Sequence, residues 1–88
     1  MITDKTYKKR ILRKIEEMRF DQEFYKREID EHVRNAKDHG YKVYTCSNST
    51  FVYCPDHTTP TLIQNSIRRC EGAINGLQIA IEKLEKEL

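Results

Sequence analysis

Two hydrophobic ladders of equal length run along this 88-residue chain and match rung for rung. One is Ile11, Ile15, Met18, Gln22, Tyr25, Ile29, His32 and Ala36. The other is Ile63, Ile67, Cys70, Ile74, Leu77, Ile81, Leu84 and Leu88. Each steps by alternating fours and threes, the seam period of a coiled-coil helix. Folded back on each other, they pair so that residue numbers sum to 99, which sets Met18 against Ile81 and Ala36 against Ile63. The pattern predicts an antiparallel helical hairpin.

A single domain of this size has a core worth only about 3–5 kcal/mol. The chain is 38% hydrophobic and 34% charged, a balance that suits long two-faced helices better than a compact globule. A two-helix hairpin has little interior, so a homo-oligomer is expected, most simply a dimer with a four-helix core. The net charge of +2 is too small for general nucleic-acid binding. No apolar run approaches the roughly 20 residues of a membrane span, and the N-terminal stretch does not read as a signal peptide. The expectation is a cytoplasmic protein.

Residues 4–39 read as one helix, with Thr3 or Asp4 to cap it and Gly40 to end it. Pairs four apart, Glu23–Arg27, Arg27–Glu31 and Asp30–Arg34, are expected on its solvent side. Residues 41–55 switch to β-type composition. Lys42–Cys46 and Phe51–Cys54 flank a turn-rich Ser47-Asn48-Ser49-Thr50, which predicts a hairpin turning at Asn48-Ser49, with partners summing to 97. Tyr44, Cys46, Phe51 and Tyr53 then share one face, and Val43, Thr45, Val52 and Cys54 the other. Residues 56–61 form a connector. Either Thr59 caps a helix with Pro60 at its first position, or Thr61 and Gln64 make a capping box. A helix over 62–88 completes an α-β-β-α order, α+β in class but mostly α.

Phe20 and Phe24 fall outside the seam, at heptad positions f and c. On the second helix Gly72 and Ile79 fall at f and Gly76 at c, beside a row of small residues, Ser66, Ala73 and Ala80. By the same arithmetic Phe20 lies level with Ile79. Bulky aromatics and a small-residue groove at one height make Phe20, Phe24, Gly72, Gly76 and Ile79 the expected oligomer interface.

The basic cluster Lys8, Lys9, Arg10, Arg13 and Lys14 is expected to lie alongside Glu82, Glu85 and Glu87, where opposite charges set register. Three cysteines argue against a disulfide framework, and thiols are expected. Cys46, Cys54 and His57, with His39 or Cys70 as a fourth ligand, are the candidates for a zinc module, but they supply one tight pair where structural zinc wants its four ligands in tight pairs. No nucleophile with a base and no glycine-rich phosphate loop is present, so no enzyme activity and no cofactor are expected.

The leading expectation is a non-enzymatic oligomeric binding protein, an adaptor or inhibitor, in the style of phage and mobile-element antagonists of host machinery. Its contact surface for an unidentified protein partner is expected at Tyr41, Tyr44, Phe51 and Tyr53. The alternative is sequestration of a nucleotide-like anion between subunits, its phosphate cradled by Lys42, Arg68 and Arg69 and its base stacked on the tyrosines, Tyr41 among them.

Overall fold

A computed structural model describes residues 4–54 and 60–88. Thr3, His57 and Thr59, each given a role above, lie outside them. The order is α1 (Asp4–Asp38), β1 (Lys42–Cys46), β2 (Ser49–Tyr53) and α2 (Thr61–Glu85). The two helices form the expected antiparallel hairpin, with the β-hairpin between them in sequence. The molecule is a rod of 63 × 19 × 16 Å, set by α1, whose 35 residues extend about 52 Å at 1.5 Å each.

Every seam residue except Leu88 is buried or half-buried. The burial falls into two clusters. Ile11, Ile15 and Ile81, joined by Met18 and Leu84, fill the end nearest the termini. Ala36, Val52 and Ile67, joined by Ile29, Val33, Tyr41, Val43 and Ile63, fill the other end beneath the β-hairpin. Between them the seam turns polar. Gln22 is buried, and its amide donates to the Ile74 carbonyl at 3.2 Å and to Gln78 Oε1 at 3.1 Å. A satisfied amide inside an apolar seam fixes register, because sliding the helices strands its hydrogen bonds.

Gly40 ends α1 through a left-handed residue at φ 79°. Its N–H bonds the Lys37 carbonyl and that of Tyr41 bonds the Ala36 carbonyl, both at 3.0 Å. This is the Schellman arrangement, and Tyr41 packs on the Ala36 cluster as that motif favours. Helix α2 stops three residues earlier than its periodicity implies. Glu87 and Leu88 bond the carbonyls of Leu84 and Glu85, three residues back, so the last turn tightens and Leu88 leaves the seam, 46% exposed. At the other end of α2, Pro60 occupies the cap position rather than the first turn, with no side-chain cap.

The β-hairpin corrects the predicted register. Partners sum to 95, pairing Lys42 with Tyr53, Val43 with Val52, Tyr44 with Phe51, Thr45 with Thr50 and Cys46 with Ser49. The turn is Ser47-Asn48, both left-handed at φ 50° and 67°. That is the two-residue geometry whose twist matches the flanking strands. A slip of two residues leaves every side chain on its expected face, and it sets Val43 opposite Val52 over the core.

The solvent-side ion pairs differ from expectation. Among the described residues the pairs formed are Arg19–Glu85 at 3.3 Å and Lys26–Glu23 at 3.4 Å, both exposed. Glu23 is taken by the neighbour three residues on rather than by Arg27. Such exposed pairs are worth little, so the exchange costs almost nothing. Of the basic cluster, Arg10 and Lys14 share a shallow depression with Glu87, but the charged contact between the helices at that end is made by Arg19.

Candidate interaction face

The β-hairpin is held to the helices by side chains of α2. Val52 N–H donates to Gln64 Oε1 at 2.8 Å, and Gln64 Nε2 donates to the Thr50 carbonyl at 2.9 Å. One turn pair further along α2, Glu71 accepts the Thr50 N–H at 2.9 Å. These groups are the outward-facing ones of β2, the edge that a third strand would otherwise pair. A side-chain amide can stand in for that strand because it carries the same donor and acceptor as a peptide. Gln64 is therefore not a capping residue, as its place near the helix start implied. Its amide is buried and spent on the sheet. The sequence signal was the seven-residue spacing of two polar residues, Gln64 and Glu71, on the flank of the seam.

With Val43 and Val52 turned inward, Lys42, Tyr44, Phe51 and Tyr53 form the outer face. Tyr44 and Tyr53 are diagonal neighbours, their rings 5.7 Å apart and edge-on at 63°, and both are exposed. Phe51 is half-buried beneath Arg68, whose guanidinium carbon lies 5.9 Å from the ring centroid, within cation–π range. The result is a small surface of three aromatic rings and two cations. It offers apolar contact area with hydroxyl and guanidinium donors at its margin, the composition that protein interfaces favour.

Two of the expected contact residues are elsewhere. Tyr41 packs into the core cluster and stacks on His39 at 5.8 Å. Arg69, one residue beyond Arg68, projects about 100° further round the helix, off this face. Phe20 and Phe24 stand off the seam, 71% and 53% exposed, and Ile79 is exposed as well. A Cβ on Gly72 or Gly76 would meet nothing within 4 Å. Packing within the chain therefore does not require either glycine, although each costs α2 about 1 kcal/mol relative to Ala.

Cys46 sits at the turn and Cys54 beyond the far end of β2. At about 3.3 Å per residue they are roughly 16 Å apart, too far to share an ion or a disulfide. All three cysteines are free thiols, and no cluster of His, Cys, Asp and Glu fit for a metal occurs among the described residues. Burial, and next the charge of Glu28, raise the Cys70 thiol above its ordinary range. Alkylation at mild pH is expected to reach exposed Cys46 first and buried Cys70 last, followed by peptide mass mapping. A raised native thiol stabilises the fold fully below the unfolded thiol's pKa, and that stabilisation is lost as pH rises through the native value. Alkaline loss of stability should therefore shrink in Cys70→Val, and equal pH profiles would remove the thiol from the account.

A cleft of about 530 Å³ lies under the β-turn, lined by residues that include Lys26, Glu71 and Asn75. Its two charged groups are already engaged, Lys26 by Glu23 and Glu71 by the Thr50 amide, which leaves no pair set up for proton transfer. No helix among the described residues is long and apolar enough to cross a membrane. No family model, curated protein or solved structure matches this chain.

Proposed function

We propose that the protein is a non-enzymatic binding module, an adaptor or an inhibitor, that works as a small homo-oligomer and meets a protein partner through the outer face of its β-hairpin. The observation that carries this reading is the exposed Tyr44–Tyr53 pair beside Phe51 and Arg68. Aromatic and arginine side chains on a fixed support are what binding hot spots are made of. The support here is a sheet that packs Val43 and Val52 of its inner face into the core cluster and whose β2 edge is bonded to α2. The anion-sequestering alternative keeps Lys42 and Arg68 but loses Arg69 and Tyr41, so it has fewer converging groups.

Tyr44→Ala with Tyr53→Ala tests the reading. Both residues are exposed, so the fold should persist. Loss of two interface anchors costs about 2 kcal/mol or more each, and the binding of whatever wild-type protein retains from its native cell should fall at least 100-fold, with Lys9→Ala, exposed near the far end of α1, as an unaffected control. Equal retention by wild type and the double variant would move the contact off this face. Thermal stabilisation by a nucleotide panel, abolished by Arg68→Ala, would favour the anion instead.

A further inference from the structure

We infer that a second copy of this chain docks on the face of the helical hairpin opposite the β-hairpin, with α1 of each copy against α2 of the other about a two-fold axis parallel to the helices. The inference rests on the homo-oligomer reading above and adds its register, its charges and its symmetry.

The β-hairpin occupies one flank of the seam, the flank of Gln64 and Glu71. On the other flank, about 130° round each helix from the midline of the seam, each helix carries a column at seven-residue spacing. On α1 the column is Glu17, Phe24, Glu31. On α2 it is Arg69, Gly76, Lys83. All six are exposed. None of the four charged residues forms an ion pair among the described residues, where the pairs are Arg19–Glu85 and Lys26–Glu23. Within one chain the columns point outward from a shared face and cannot meet.

Their heights match. In the antiparallel register Glu17 lies within one residue's rise, about 1.5 Å, of the height of Lys83, and so do Phe24 of Gly76 and Glu31 of Arg69. One helix reads acid, aromatic, acid, and the other base, glycine, base. A half-turn about an axis parallel to the rod keeps every height and lays α1 of one copy over α2 of its partner. Each acid then faces a base, and each Phe24 ring faces the gap over Gly76, where nothing lies within 4 Å of a Cβ. Ala73 and Ala80, on the inner side of the α2 column, are short enough to let the ring approach. Because both columns lie on one face, a single partner satisfies both, so the assembly closes at two chains. The opposite half-turn, end over end, would set acid columns on acid columns and base on base.

The test is a charge exchange followed by sedimentation equilibrium. One variant carries Glu17→Lys and Glu31→Lys, the other Arg69→Glu and Lys83→Glu. All four sites are exposed, and unchanged far-UV circular dichroism confirms folding. Wild type is expected to run as a dimer, each variant alone as a monomer, with at least 100-fold weaker association, and an equimolar mixture as a one-to-one dimer, since mixing restores acid against base at both contacts. Wild type monomeric at about 100 µM overturns the homo-oligomer reading and this inference together. A wild-type dimer that neither variant weakens, or folded monomeric variants that do not combine on mixing, overturns this interface and leaves the homo-oligomer reading standing.

Discussion

Replacing Ile67 by Asp is expected to leave no folded protein. Ile67 is fully buried and packs with Ala36 and Val52 at the point where both helices and the β-hairpin converge. A carboxylate there would sit among the hydrophobic side chains of that cluster and must either stay charged in an apolar site or take up a proton, and either route costs several kcal/mol. The whole core of a chain this small is worth about 3–5 kcal/mol. Even Ile67→Ala, at about 2–5 kcal/mol for a buried isoleucine, is expected to melt far below wild type. Ile67→Val, at roughly 0.5–1.5 kcal/mol, should remain folded. Ile79→Asp, on the exposed side of the same helix, is the contrast and should leave helix content unchanged. Far-UV circular dichroism melts decide the matter, and an Ile67→Asp protein melting near wild type would place the core elsewhere.

Gln64→Leu is expected to produce the second largest effect, although it makes the residue more apolar. It removes the partner of both the Val52 N–H and the Thr50 carbonyl. Each orphaned backbone group costs about 1–3 kcal/mol, and a two-stranded hairpin is marginal without outside support. The β-hairpin should therefore come loose at lower denaturant than the helical seam near the termini, and the Val52 amide should lose its protection from hydrogen exchange. Gln64→Glu keeps the acceptor for Val52 but turns an oxygen toward the Thr50 carbonyl, so it should be intermediate. An unperturbed Val52 amide in Gln64→Leu would show that the sheet does not depend on α2.

The contrast between Ile67 and Gln64 marks what was legible in the sequence. Ile67 belongs to a repeating pattern. Burial on one stripe of a helix leaves a period, and a period is visible without knowing what covers it. Gln64 instead bonds two backbone groups of another segment, the Val52 N–H and the Thr50 carbonyl. Two polar residues seven apart, Gln64 and Glu71, are too few to stand out as a period, and the nearness of Gln64 to the helix start points to a capping role. The β-hairpin falls between these cases. Its faces follow from alternation, which survived a register error of two residues. Its turn depended on which two residues accept left-handed backbone, and Ser47-Asn48 and Asn48-Ser49 are nearly equal in that respect. What decided it was Val43 against Val52 over the core, a long-range preference. Of the expected contact residues, those in strand alternation, Tyr44, Phe51 and Tyr53, came together. Tyr41 did not, because the helix-ending motif turns it inward, and neither did Arg69, because adjacent helical residues diverge.

The bonds from Gln64 and Glu71 to β2 also bear on how this chain behaves when crowded. Extended strands stack into fibrils only when each sheet offers two unpaired edges, one to receive a neighbour and one to pass the pattern on. Here the Thr50 and Val52 groups along one edge are occupied by α2, so the sheet offers at most the β1 edge. A strand added there meets a second molecule whose own far edge is likewise blocked. Edge-to-edge growth of the folded protein therefore stops at a four-stranded pair, and it can run on only after Gln64 and Glu71 let go.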